Sequence, residues 1–195
     1  MDVTHLLATR LRSLRDAQGL SLEALAARSG VSRSNISLIE RGESSPTATV
    51  LDRLAGALGV TLASLFEPDD EGPPPPVARV ADQPVWTDPQ SGYVRRNVSP
   101  AGPSPLQLVD VRFPPGKRVT LDAEARLSAT HQQVWMIEGT MDVGVGDTTW
   151  RLQAGDCLAM TLDQPITWRN PTKQAARYLV ALATPALLAL PRRSA

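Results

Sequence analysis

Between Ser32 and Gly42 the chain reads SRSNISLIERG, which gathers Arg33, Ser34, Asn35 and Ser37 into one short run. They supply a guanidinium fork, a carboxamide and two hydroxyls on short stems. Such a set hydrogen-bonds a surface patterned with donors and acceptors, as base-pair edges are. A second group has other chemistry in reach. His131, Glu138 and Cys157 are an imidazole, a carboxylate and a thiol, the ligand types of a transition ion. The chain holds two His in all, the other being His5, and one Cys. One imidazole does not build a His-rich centre. Glu138 reads as a turn residue, Cys157 as a small buried apolar one, and His131 as pocket lining or surface rather than a base. No metal, no cofactor and no catalytic residue is therefore expected.

The elements that must position the first group are helical. Leu6, Leu7, Leu11 and Leu14 recur at helical spacing from Thr4 to about Gln18, and Gly19 stops the run. Ser21 can cap Leu22–Arg28, Ser32 can cap Arg33–Arg41, and Thr47 can cap Ala48–Leu58. A fifth short helix covers about Leu62–Phe66. Two helices crossing steeply need a small residue between them, and Ala26 is placed for that. Gly30 suits the turn, since glycine tolerates positive φ. Leu25, Val31, Ile36 and Ile39 then share a core, which is the spacing of a helix-turn-helix over residues 22–41. The polar side of the second helix is left outward, and in that fold it enters the DNA major groove.

Beyond residue 76 the texture changes to short runs rich in Val, Thr and Trp between prolines and glycines: YVRRNVS, LQLVDVRF, QVWMIEG, TMDVGV, TTWRL, CLAMTL, ITWRN and ARYLVAL. Met141, Val143 and Val145 alternate with Asp142, Gly144 and Gly146, the period of a strand. Gly146-Asp147 marks a hairpin turn. Many short strands predict an antiparallel sandwich or jelly-roll barrel. Between the textures lies EPDDEGPPPP, residues 67–76, an acidic, proline-rich stretch that reads as an extended linker. The expected division is thus 1–66, 67–76 and 77–195.

Bulk charge argues for no partner. Lys plus Arg and Asp plus Glu both number 20, so any binding to nucleic acid must come from local placement of arginine. The single cysteine leaves no intramolecular disulfide and fits a reducing compartment. The first residues lack a signal-peptide core, and no window approaches 18 uninterrupted apolar residues. A cytoplasmic protein with no membrane contact is expected.

Residues 6–66, LRSLRDAQGLSLEALAARSGVSRSNISLIERGESSPTATVLDRLAGALGVTLASLF within them, resemble the Xre/Cro/C1-type helix-turn-helix domain of bacterial and phage repressors. The resemblance implies a five-helix, lambda-repressor-like DNA-binding domain that acts as a homodimer on a two-fold-related double-stranded operator. It makes Arg33, Ser34, Asn35 and Ser37 the base-contact residues, with Leu38 beside them. Ser21, Arg41, Ser44, Ser45 and Thr47 become the phosphate contacts, and Arg10 and Glu40 a structural pair across helices.

Residues 105–183 resemble the cupin small barrel, on PPGKRVTL, HQQVWMIEGTMDVGVGD, WRLQAGDCLAMTLDQPITWRNPT and ARYLVAL. Glu138-Gly139 matches the turn closing the first cupin motif; Gly155-Asp156, Pro165 and Asn170 match the second. A metal-binding cupin offers H-x-H, a carboxylate and a third His after the proline. Here Gln132 and Gln133 follow His131, and Ile166 follows Pro165. The resemblance therefore implies a metal-free barrel that dimerises, senses a small molecule, or both, with His131, Trp135, Met136, Met160 and Trp168 as pocket candidates. Together the halves predict a ligand-responsive transcriptional regulator, a repressor by preference. The alternative is a cupin enzyme of isomerase or epoxidase type with a helical scaffold; the missing His positions argue against it.

Overall fold

The computed structural model describes residues 2–68, 76–102, 104–122 and 130–184. The first half packs four α-helices: α1 (Val3–Ala17), α2 (Leu22–Ser29), α3 (Arg33–Glu40) and α4 (Ala48–Ala57). The expected fifth helix is a 3-10 turn, Ala63–Phe66. Four residues are too few to close successive α-type hydrogen bonds, so the tighter i to i+3 pattern holds them. Asp2, Ser21, Ser32 and Thr47 each accept a backbone N–H two or three residues ahead, which satisfies a donor that a helix start leaves open.

The apolar positions close one core. Leu11, Leu25, Ile36, Leu51, Leu54 and Leu65 are fully buried. A part-buried ion pair ties α1 to α3, with Arg15 Nε 2.7 Å and Arg15 Nη2 2.8 Å from the Glu40 carboxylate oxygens. That corrects the expected Arg10–Glu40 pair. Arg10 and Arg15 lie five residues apart, about 140° around a helix axis, so they cannot serve the same neighbour. Arg10 instead donates to Ser64 O at 3.2 Å and pairs with Glu67 at 3.6 Å.

The second half is two facing antiparallel sheets. Its strands are β1 (Val85–Thr87), β2 (Val94–Asn97), β3 (Leu106–Phe113), β4 (Arg118–Leu121), β5 (His131–Glu138), β6 (Thr140–Val145), β7 (Thr148–Gln153), β8 (Cys157–Thr161), β9 (Ile166–Arg169) and β10 (Ala176–Ala183). One sheet runs β1-β2-β3-β10-β5-β8 and the other β4-β9-β6-β7. The expected strands are all present; β1 and β4 are additional. Alternation sends Val109, Val111, Val134, Met136, Val180, Met141 and Val143 into the space between the sheets. There Trp168 of β9 stacks on Tyr178 of β10, with ring centroids 5.2 Å apart.

Two turns show why their residues are glycine. The β6–β7 hairpin turns at Gly146, φ +54°, as the sequence predicts. At Gly139, φ +80°, a Cβ would sit 2.9 Å from both Ala175 O and Ala176 Cα, so neither the backbone angle nor the space admits a side chain.

The two halves are docked. Their buried apolar residues form one continuous cluster. Phe66, Trp86, Tyr93 and Phe113 make a ladder of rings at centroid spacings of 5.8, 5.7 and 5.6 Å, leading from the helices into the sheets. Polar contacts surround it. The Asp88 carboxylate accepts from Ala48 N at 2.9 Å, adding a cap to α4 from the β half. Thr49 donates to Thr120 O at 3.0 Å, Arg53 pairs with Asp122 at 2.7 Å, and Asn97 donates to Ala63 O at 2.9 Å. Of the expected linker 67–76, positions 69–75 lie outside the described residues; Glu67 is part of the docked surface, accepting from Gln107 Nε2.

Candidate nucleic-acid interface and barrel interior

The turn between α2 and α3 fixes how the first polar group is presented. Gly30 adopts φ +65° and donates to Ala26 O at 2.9 Å, ending α2 in a left-handed step. Ser29, fully buried, donates to Leu25 O at 2.7 Å and accepts from Val31 N at 3.3 Å. Ser29 is thus a small residue sealed at the end of α2, whereas Ala26, expected at the helix crossing, is only half-buried. Ile36 and Ile39 turn inward, which rotates Arg33 and Ser34 fully to solvent and leaves Asn35 and Ser37 half-exposed. The Arg33 side chain is 64% exposed, and its nearest anion is Glu23 at 3.6 Å. Leu38, at 37% exposure, is an apolar contact on the same surface.

The flanking candidates surround this face. Ser21 and Thr47 spend a lone pair on their caps and keep a hydroxyl proton to donate. Arg41 reaches back to the Ser37 hydroxyl and forward to Glu43, 2.8 Å away, whose carboxyl it holds below the usual range. Ser45 is exposed and Ser44 half-buried in the loop before α4. An eight-residue helix with its polar side open and its apolar side locked can enter a groove without unfolding anything.

The helix-turn-helix family HTH_3 matches residues 11–65. Over 73 residues the chain is 42% identical to the uncharacterized HTH-type transcriptional regulator y4dJ of Sinorhizobium fredii, covering 37% of this chain and 95% of that protein. The chain belongs to the HTH-type transcriptional regulators. A regulator of this family resembles it along nearly its whole length: SutR of Escherichia coli is 25% identical, covering 91% of this chain and 94% of the relative. The two-domain architecture is shared with a solved HTH_3 family transcriptional regulator from Vibrio cholerae, at TM-score 0.76 and 25% identity, covering 94% of this chain and 97% of that one. The protein is thus a DNA-binding transcriptional regulator with a helix-turn-helix half and a β half of two facing antiparallel sheets.

A partly open cavity of about 60 Å³ lies between the sheets of this regulator's β half. Its walls are apolar side chains of both sheets, with Trp168 and Tyr178 among them. Its roof comes from the other half of the molecule: Asp52 of α4 with Thr61 and Leu62. Three of its polar residues are almost completely removed from water: Asp52 at 3% exposure, Arg95 at 7% and Gln132 at 7%. Arg95 lies 5.5 Å from the Phe66 ring centroid, while its Nε has no hydrogen-bond partner. Burial pushes the Tyr93 phenol up and the Tyr178 phenol well above its usual range, so both remain neutral donors.

The strand register corrects the expected pocket. On β5, even-numbered Gln132, Val134 and Met136 face inward, so His131 and Trp135 face out; Trp135 is 51% exposed. Met136 and Met160 are buried outside the cavity wall, and of the expected set Trp168 alone borders it. Cys157, expected to be buried, is exposed, because it pairs with outward Trp135 on the edge strand β8. The same register separates the conceivable metal ligands. His131 lies opposite Thr161 and Cys157 opposite Trp135, about 13 Å along the strand. Among the described residues no cluster of three His, Cys, Asp or Glu occurs. Asp52, Tyr93, Arg95, Gln132 and Tyr178 were not predicted for the cavity. The Val134 and Met136 alternation carried a signal for Gln132. VRRN carried none for Arg95, since either arginine could face in.

Proposed function

We propose that this regulator binds a two-fold operator as a homodimer in the cytoplasm, and that its β half senses a small molecule without chemical turnover. Arg33, Ser34, Asn35 and Ser37 take the base edges, Arg33 by a two-bond contact to guanine worth about 1–3 kcal/mol of discrimination. Ser21, Arg41, Ser44, Ser45 and Thr47 take phosphates, which fix register without reading sequence. Arg41 would exchange Glu43 for phosphate. The second copy is joined through the outer face of the larger sheet, where exposed Trp135 stands beside Leu179 and Cys157 in register.

One observation carries the sensing part: residues of the DNA-binding half roof the β-half cavity. A ligand there touches both halves, so it can bind the docked and undocked arrangements with different affinity. That difference is the thermodynamic requirement for an effector. The dimer holds two reading helices at a fixed separation, which must match half-sites about 34–36 Å apart. Docking on the barrel is what keeps that separation fixed. Repression is the preferred sign, by blocking the operator while unliganded. The test is selection of bound DNA from a random pool by the purified full chain, repeated with metabolite mixtures. A palindromic consensus whose recovery falls with one mixture is the expected result. An operator affinity that no molecule binding the barrel alters would overturn the sensing reading and leave the DNA reader standing.

A further inference from the structure

We infer that one end of the β half is a second contact for the operator backbone, where Lys117, Arg118, Arg169 and Lys173 hold phosphates flanking the bases that α3 reads. This rests on the DNA-reading face proposed above and adds to it a surface from the other half of the molecule.

The patch is built from two segments that fold against each other. PPGKR, residues 114–118, leads into β4, and RNPTKQ, residues 169–174, leaves β9. Together they hold four cations and no carboxylate, in a chain whose basic and acidic residues number 20 each. Fully buried Asn170 joins them. Its backbone N–H donates to Lys117 O at 3.0 Å, its side-chain amide donates to Phe113 O at 3.3 Å and Gln174 O at 2.8 Å, and its side-chain oxygen accepts from Thr172 N at 3.0 Å. Arg118 stands directly opposite Arg169 in the β4–β9 register. Val119 and Trp168 face inward, which turns both arginines to the outer face, and all four cations are exposed.

Like charges directly opposite each other on a sheet disfavour the pairing. Among the described residues no ion pair engages Arg118 or Arg169: Asp142, beside Arg169 in register, is held by Arg151 through bonds of 2.8 and 3.1 Å. The Asp142 carboxyl is lowered first by that bond, and Arg169 adds the smallest pull. A partner with closely spaced negative charges would reverse the cost of the arginine pair. A DNA duplex carries one such charge per about 1.7 Å of its axis.

Two sets of contacts place this end of the β half next to the DNA-reading half. α4 runs beside β4 in the same direction: Thr49 donates to Thr120 O, and Arg53 pairs with Asp122. Four helix residues and two strand residues both advance about 6 Å, so the two elements stay level. One step further back brings Arg118 level with the entry to α4, where Ser44, Ser45 and Thr47 lie. The β1–β2 turn links the same two places. Asp88 at its start accepts from Ala48 N at 2.9 Å, and a Cβ on Gly92 near its end would meet Pro114 at 3.8 Å. The patch thus continues the surface of the α3–α4 loop, whose hydroxyls are the proposed phosphate contacts. Exposed Arg and Lys there add affinity and salt dependence but no sequence preference.

The experiment compares the purified full chain with an Arg118→Gln/Arg169→Gln double variant. Affinity is measured by fluorescence anisotropy across a salt series, on the selected operator and on a duplex of random sequence. Each lost phosphate contact should lower the slope of log affinity against log salt by about 0.9, so the double variant should lose about 1.8 and bind roughly tenfold or more weakly near physiological salt. The loss should be equal for the operator and for its single-base variants. Arg79→Gln removes one charge outside the patch and should leave the slope unchanged. Trimming the base pairs that flank the half-sites should weaken the unaltered protein by a similar factor, which gives an answer even where the variant folds poorly. A folded double variant with the slope and affinity of the unaltered protein on both duplexes would overturn the inference. So would a loss confined to particular bases, or trimmed DNA that binds the unaltered protein as tightly as before. A protein that selects no operator would sink the α3 reading alone, because the slope on the random duplex still reports the patch.

Discussion

Two sets of polar side chains in this regulator differ in one respect, contact with water. On α3, Arg33 and Ser34 face solvent, and Asn35 and Ser37 partly so. Unpaired donors and acceptors there exchange bonds with water, so leaving them open costs almost nothing, and DNA can replace the water. Around the β-half cavity, Arg95 and Gln132 are sealed, and an unmet bond such as that of Arg95 Nε carries a penalty. An open polar face is compatible with any partner of matching pattern. A sealed one persists only where geometry, coupling or a ligand offsets its cost.

The comparison can be broken by changing which side chains meet water. The largest effect is expected at the Arg15–Glu40 pair, whose side chains are 12% and 7% exposed. Glu40→Ala leaves the part-buried guanidinium with Asp16 as its remaining carboxylate and should lower unfolding free energy by about 3 kcal/mol, read by chemical denaturation. Loss of less than about 1 kcal/mol would show that water already reaches Arg15. Next is Trp135, an apolar side chain on the wet side. Trp135→Arg should weaken self-association by about 2 kcal/mol or more in sedimentation equilibrium, with no loss of folding. An unchanged dimer would move the interface elsewhere.

Smaller effects are expected where exposure is intermediate. Arg53 and Asp122 are 38% and 36% exposed, so Arg53→Ala should cost less than about 1 kcal/mol of stability. The smallest concerns Glu67. Burial raises its carboxyl pKa, against the opposing pull of the Gln107 hydrogen bond and Arg10. A raised folded value means the folded state takes up the proton more readily. The stability it contributes is present at low pH and lost as pH rises through that value. Glu67→Gln keeps the acceptor for Gln107 and should flatten stability against pH just above the ordinary carboxylate range, changing it by less than about 1 kcal/mol at neutral pH. A slope unchanged between the two proteins would place the titration on another group.

The two sets were also unequally legible in the sequence. Ser21, Ser32 and Thr47 as caps, Gly30 in the turn and the periodic Leu and Ile positions are local signals, and each holds in the structure. The strand runs were equally plain because alternation is local. What local pattern does not encode is which half docks on which. Asp88 capping α4, Phe66 beginning a ring ladder and Asp52 roofing a cavity join residues about 20 to 130 positions apart. The proline-rich stretch suggested separation, whereas the contacts around it bury a shared core. Pocket residues failed for a related reason: His131 and Trp135 are conspicuous by type, but a two-residue period, read from Val134 and Met136, decides who faces inward.

The most direct test of the account is the base-by-base specificity of α3. The protein and its Arg33→Ala variant would be titrated, at one fixed salt concentration, against the selected operator and every single base-pair change in one half-site. The account predicts that the unaltered protein loses about 1–3 kcal/mol at a guanine position and that Arg33→Ala loses this discrimination there while keeping it elsewhere. A variant that weakens all sequences equally would place Arg33 on a phosphate, and one that binds all of them as before would take α3 out of the groove.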